Sequence, residues 1–371
     1  MLTSLLMIVL AQGVTQDSIV IGMEGPANSF SVDEENLGMH LVVRQVNDLG
    51  GIHGRRLQVV AYSRGRENPV EQAIDNARLL VENEGAFLLF NFGGPASVEI
   101  GKYAMANEVP YLFPHTALLT VDGERHVFTS FPRYAGESRA MFRYLATERG
   151  VKKIAVIHAP NIYGEYFRDR AESLAGEFGY EFVGAQALPN KPESAIEQMS
   201  HLATLEPDIV LMALYPAGAR TAIEAKAALA WEVRLVSAGP LTDEQYLNVA
   251  GGEAEGTIGF CHYPDPNESS APGIARYRSL LAKYFPGHAA NRYSLYGYVF
   301  GQLVVEGLQR AGENLTRERF LDAMESIRNW DSGGILPPVS FSATDHHAQE
   351  SGFICELEDG RFKPLSGWLA H

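Results

Sequence analysis

The chain has 371 residues, 46% of them hydrophobic and 20% charged, with Lys+Arg 30 against Asp+Glu 45 and a formal net charge of −15. That length exceeds one ordinary core, so two domains are expected, and the apolar content excludes a disordered chain. The acidic balance excludes a protein that grips nucleic acid through a basic footprint.

In chain order, the first apolar stretch is 5–10, too short to span a bilayer. It reads as the end of a signal-peptide apolar region, with 1–16 a truncated signal segment. No Lys or Arg precedes it and no small-x-small cleavage site follows, so a disordered start or a wrongly chosen start codon is the plainer alternative. No other run is long and apolar enough to span a bilayer. A strand follows at Ile19-Val20-Ile21-Gly22-Met23, then a loop and an amphipathic helix. Leu37, Leu41, Val42, Val46 and Leu49 recur on one face of that helix, and Gly50 supplies the left-handed position that stops it. Strands are predicted at 57–62, 87–91 and 109–113, and helices at 69–81 and from 97 to about 107. A helix over 133–150 ends on Gly150, a strand covers 153–158, and a helix over 163–178 ends on Gly179. Further strands cover 182–187, 209–214 and 234–238, with helices between them. After a Pro-rich polar loop at 264–272, helices are predicted at 273–284, 293–311 and 317–327. Two short strands, 352–357 and 361–365, close the chain. Strands alternating with helices imply parallel sheets covered on both faces, in too many units for one sheet. Cys261 and Cys355 are the only cysteines, which excludes a disulfide scaffold and a Cys-rich metal site. Two separate buried thiols are expected, with one bridge possible in an oxidising compartment.

The stretch Asn47-Asp48-Leu49-Gly50-Gly51-Ile52-His53-Gly54-Arg55 resembles the signature turn of the type I periplasmic solute-binding proteins. The branched-chain amino-acid binding proteins belong to this group, and the resemblance runs from Asp17 to Leu369. It implies an α/β fold of two doubly wound parallel-sheet lobes joined by a three-crossover hinge. Lobe one would take 17–135 plus 263–340, and lobe two 136–262 plus 341–371. The implied protein is a monomer of the periplasm. It would bind an amino acid or a small carboxylate, aromatic or amide ligand in an inter-lobe cleft by hinge closure, for an ABC permease of the inner membrane. The alternative is a ligand sensor of the same fold acting with a regulator or sensor kinase. No cofactor is implied, and enzyme signatures such as a GxSxG elbow or an HExxH helix are absent.

Candidate site residues follow from strand-to-helix turns. In Phe92-Gly93-Gly94-Pro95-Ala96-Ser97, glycines admit a ligand close to the backbone and helix N-terminal amides favour an anion. Gly94, Pro95 and Ser97 are the candidates, and a plain N-cap is the bland reading of Ser97. The absence of a following Lys excludes a phosphate loop. Val109-Pro110 to Ala117 resembles the family segment that meets a ligand carboxylate, which implicates His115, Thr116 and Ala117. The bland readings are an exposed loop histidine and a turn-forming hydroxyl. Asn161-Ile162-Tyr163-Gly164-Glu165 resembles the turn whose tyrosine closes over the ligand, and Tyr215 resembles a second such position. A ring with a polar tip suits such a wall, and core packing is the alternative. Two departures bear on specificity. The family often places an acidic residue where this chain has Leu241, although Asp243 or Glu244 is a possible substitute or a plain helix start. The first loop, Glu24 to Ser31, is shortened, with Asn28, Ser29 or Phe30 as candidates. His346 and His347 are expected to be exposed loop residues, with no ligand count for a metal.

Overall fold

The computed structural model describes residues 12–65, 69–90, 94–117 and 124–370. Most of the expected signal segment therefore lies outside the described residues. The chain divides into two compact units, Met1–Phe131 with Ser270–Gln349, and Pro132–Ser269 with Glu350–His371. It passes from one to the other three times.

Unit 1 begins with β1 (Ser18–Pro26), α1 (Phe30–Asp48), β2 (Arg56–Arg64), α2 (Val70–Glu82), β3 (Leu88–Phe90), α3 (Ser97–Ala106), β4 (Tyr111–Leu112) and β5 (Val127–Phe128). The strands form one parallel sheet in the order β2-β1-β3-β4-β5. Alternate residues split between its faces. Leu89, Tyr111 and Val127 meet Ala73, Ala77 and Leu80 of α2 and Ile100 and Ala104 of α3. Phe128 on the other face packs edge-on to Phe341.

The turn after α1 is built as the glycines predict. Gly50 and Gly51 take φ of +99° and +82°. Gly50 N donates to Asn47 O at 3.2 Å and Gly51 N to Val46 O at 2.9 Å, which satisfies carbonyls left over at the helix end. Asn47 then ties the helix to β2. Its Nδ2 donates to Leu57 O at 2.9 Å, and its Oδ1 accepts from Leu57 N at 2.8 Å. Leu41 and Val42 are buried, but Leu49 is 80% exposed. It is the C-cap, past the last helical turn, so the inward face predicted for it does not reach that far.

Unit 2 contains α4 (Tyr134–Thr147), β6 (Lys153–His158), α5 (Ile162–Ser173), α6 (Ala175–Phe178), β7 (Glu181–Ala187), α7 (Ile196–Ala203), β8 (Ile209–Ala213), α8 (Pro216–Ala228), β9 (Arg234–Ser237), α9 (Glu244–Ala250) and β10 (Ile258–Cys261). The helix expected over 163–178 is broken at Leu174. The chain then returns to unit 1 for α10 (Pro272–Tyr284), α11 (Arg292–Ala311) and α12 (Arg317–Glu325). It ends in unit 2 with β11 (Ser351–Glu358), β12 (Arg361–Pro364) and β13 (Leu369–Ala370). The second sheet runs β12-β11-β10-β9-β8-β6-β7, with β13 beside β11. It is parallel from β10 to β7, and β11 and β12 run antiparallel. Its two faces carry separate cores, one under α4 and α5 and one under α7, α8 and α9.

Two expectations are corrected here. Cys261 and Cys355 are bonded to each other, with Cα atoms 6.1 Å apart, and are not separate thiols. The reason is register. The antiparallel β11 sets Cys261 opposite Phe353 and Gly259 opposite Cys355, so both side chains rise on one face as diagonal neighbours. The bond closes a separation of 94 residues. Removing it by a Cys261→Ala, Cys355→Ala double substitution is expected to cost about 2–4 kcal/mol. Urea unfolding of both forms checks this, and identical midpoints would show that the bond contributes nothing.

His346 and His347, expected to be exposed, are 3% and 6% exposed. Thr129, just past β5, bridges His347 in parallel, so this segment runs on like a short extra strand. The His346 ring stacks on Phe128 with centroids 4.0 Å apart, and its Nδ1 lies 3.1 Å from Val127 O. His347 Nδ1 lies 2.9 Å from Asp345 Oδ1. Among the described residues no group of His, Cys, Asp and Glu is placed to hold a metal.

Candidate functional site

Parallel α/β sheets bind ligands outside the carboxyl ends of their strands. In unit 1 those ends carry nearly every residue singled out from the first half of the sequence. β1 gives way to Ala27, Asn28 and Ser29, and α1 starts at Phe30. Phe30 is 43% exposed and sits edge-on to Tyr293, with centroids 6.0 Å apart. Ser29 Oγ lies 3.0 Å from Ser31 Oγ. Beyond β3, Phe92 and Gly93 lie outside the described residues. Gly94, Pro95 and Ala96 form a 3-10 turn that runs straight into α3. The first amides of such a turn have no intrahelical acceptor. Ser97 is buried and is the first residue of α3, not its N-cap, which is Ala96. The capping role weighed for Ser97 is thereby excluded, and its hydroxyl faces the Tyr111 phenol.

The loop after β4 is held from α11. Tyr296 Oη donates to Phe113 O and lies 2.8 Å from Ser130 Oγ, which in turn donates to Pro114 O at 3.1 Å. This bracing fixes His115 among aromatic rings. Its centroid is 4.5 Å from Phe131, 5.0 Å from Tyr296 and 5.4 Å from Tyr293, the last nearly parallel. Thr116 is buried, with its N–H donating to Pro114 O at 2.8 Å, and Ala117 is half-buried.

Three charged residues at this edge escaped the sequence reading. Glu24 and Arg64, near the ends of β1 and β2, form an ion pair with side chains 2% and 0% exposed. Asn76 Nδ2 also donates to Glu24 Oε1 at 3.4 Å. Glu35, in the second turn of α1, is fully buried, and neither carboxyl oxygen has a hydrogen-bond partner among the described residues. His115 Nδ1 is 3.6 Å from Glu35 Oε2. Burial holds the Glu35 carboxyl well above the usual carboxylate range.

In unit 2 the corresponding edge lies at the ends of β6, β8, β9 and β10. Asn161 caps α5 by accepting from Gly164 N at 3.1 Å. Tyr163 is buried, with ring centroids 5.5 Å from each of Tyr134, Phe167 and Tyr215. Its hydroxyl has no hydrogen-bond partner among the described residues, and burial pushes its pKa up. Tyr215, the N-cap residue of α8, is 38% exposed, and Asn161 Nδ2 donates to its Oη at 3.4 Å. Tyr163 and Tyr215 are thus brought together. Leu241 is not part of this group. It is fully buried and packs in the core that α7, α8 and α9 share. Asp243 caps α9, accepting from Gln245 N at 2.9 Å and Tyr246 N at 3.3 Å, which is the plain helix start weighed for it. The buried carboxylate that does reach this edge is Glu137, from the first turn of α4. Its Oε1 accepts from Gly239 N at 2.7 Å, and its Oε2 lies 3.2 Å from His262 Nε2. Nothing in the local sequence marks Glu137. His262 follows the short run Ile258 to Cys261, which Gly259 interrupts, so its place at a strand end is only weakly marked in the sequence.

Comparison with known proteins agrees with this architecture. Residues 19–361 match a family model described as periplasmic binding protein. Leu/Ile/Val-binding protein homolog 3 of Brucella melitensis is 22% identical over 350 residues, which cover 94% of this chain and 92% of the relative. A branched-chain amino acid ABC transporter protein of Thermus thermophilus, solved with bound valine, has a TM-score of 0.82 at 16% identity and covers 96% of this chain and 98% of its own. An ABC-transporter solute-binding protein of R. palustris, solved in complex with benzoate, has a TM-score of 0.79 at 19% identity, covering 95% and 98%. At such identities the solved structures speak for the fold.

Proposed function

The chain belongs to the periplasmic binding protein family, and from that premise we propose that it binds a small carboxylate, an aromatic acid in preference to an α-amino acid, for delivery to an ABC permease. The family is one of extracytoplasmic binding proteins and not of enzymes. One observation carries the ligand preference. Where an ammonium group would need a carboxylate in unit 2, Leu241 is core, and Glu137 spends both oxygens on Gly239 and His262. A buried ammonium without a paired carboxylate is costly. In unit 1 the Gly94–Ala96 turn suits an anion, and His115, Phe131 and Tyr293 supply aromatic surface. The relative solved with benzoate supports this choice, and the one solved with valine marks the alternative. The Cys261–Cys355 bond supports an oxidising, exported setting. Residues of both units are proposed to engage one ligand, with binding favouring the conformation in which both do so.

Thermal shift tests the proposal, because a ligand raises the unfolding temperature with the logarithm of its concentration over Kd. Benzoate and related aromatic acids are expected to raise it, and leucine and valine to leave it unchanged. The opposite pattern would overturn the preference. Ser97→Ala and Tyr163→Phe are each expected to weaken benzoate binding about tenfold, by loss of one hydrogen bond, without lowering stability in its absence. Unchanged Kd in both variants would remove these residues from the site.

A further inference from the structure

We propose that Glu35 is a specificity group of unit 1, donating a hydrogen bond from its carboxyl group to the ligand's carboxylate, with His115 as its neighbour. This rests on the reading of that strand edge as the binding site. A buried carboxyl with no hydrogen-bond partner among the described residues on either oxygen, and only the His115 ring 3.6 Å away, is an exception among native side chains and calls for an explanation. Ordinary helix-face packing does not supply one, because α1 offers Leu and Val enough for its core. The adjacent Glu34 shows the contrast. It turns to His288 Nε2 at 2.8 Å and to Asn291 Nδ2 at 2.6 Å, so a carboxylate in this helix is satisfied where pairing is the purpose.

The surroundings select the form of the group. α11 meets α1 at Glu35 through backbone, since a Cβ on Gly297 would strike the Glu35 carbonyl. The Tyr111 phenol of β4 feels the charge of Glu35 as well as that of Glu24 and Arg64. Arg64 is already committed to Glu24, and the loop after β4 brings His115. Desolvation dominates, so the neutral acid is the stable form, and a neutral acid is a donor where an ionised one only accepts. A donor 3.6 Å from His115 Nδ1, at the strand edge read as the binding site, fits an anion. Ionisation would set charge against charge, so affinity must fall as pH rises through the raised Glu35 pKa.

Calorimetric titration of the full chain with benzoate, from about pH 5 to about pH 9, tests this. Wild type is expected to lose affinity with rising pH. Glu35→Gln keeps a neutral donor and is expected to bind at low pH within about threefold of wild type and to lose the pH dependence. Glu35→Leu is expected to bind about tenfold more weakly at low pH. Unfolding of each variant without benzoate checks that it folds, and if Glu35→Leu does not, the Glu35→Gln profile decides. A pH dependence that persists in Glu35→Gln and disappears in His115→Gln would overturn the proposal in favour of the imidazole. Tighter binding of benzylamine than of benzoate, lost in Glu35→Gln, would overturn it in favour of an ionised Glu35. Wild type binding neither probe would instead count against the carboxylate reading itself.

Discussion

Gly38→Ala is expected to destabilise the protein by at least about 3 kcal/mol, although it adds a single methyl group to a helix. Elsewhere the same exchange stabilises, because Ala is the better helix former by up to about 1 kcal/mol. The difference is the neighbour. A Cβ on Gly38 of α1 would land on the Ser294 carbonyl oxygen and lie 2.7 Å from Tyr298 N, both backbone atoms of α11. Gly297 meets the Glu35 carbonyl in the reciprocal way. Neither backbone has a flexible end to move aside, so the helices must separate and every side chain along the seam loosens. Gly176→Ala in α6 is the control, since nothing lies within 4 Å of the added atom. Denaturant unfolding of the two variants should shift midpoints in opposite directions. A Gly38→Ala protein as stable as wild type would mean that α1 and α11 are not in backbone contact.

Arg64→Leu is expected to cost about 3–5 kcal/mol, the penalty of leaving Glu24 buried without its cation. Glu24 is 2% exposed on its side chain, and the amide of Asn76 cannot replace a charge. The double variant Glu24→Leu, Arg64→Leu is expected to recover much of that loss, because the cost lies in the unpaired carboxylate and not in the absence of the pair. Chemical unfolding of the two single variants and the double completes the cycle. Additive losses would show that the residues act independently.

The fold was legible because its logic is local. Ile19 to Met23 is apolar, α1 carries Leu41 and Val42 at helical spacing, and Gly50 and Gly51 stop it, so strand, helix and turn follow from neighbours in the chain. What escaped depends on partners far away. β10 reads poorly because Gly259 interrupts a short apolar run, and only β9 and β11 on either side make it a strand. The cysteine bond depends on the register of β11 against β10, and the buried histidines depend on the bridge to Thr129. Candidate site residues on strand-end loops, such as Ser97, His115 and Tyr163, were visible as residue types that suit a ligand. Glu35 and Glu137 were not, because a carboxylate early in a helix ordinarily faces water. The arrival of α11 over α1, and of Gly239 and His262 beside α4, buries them.

The three passages of the chain between its units govern how it emerges from the ribosome. α1 is made early, yet α11, which closes over it, is synthesised only after the whole of Pro132–Ser269. Unit 2 waits in turn for β11, which brings Cys355 to Cys261 near the very end of the sequence. At about 5–20 residues per second each unit therefore waits for its late segment, α10 to α12 or β11 to β13, before its sheet and helices are complete.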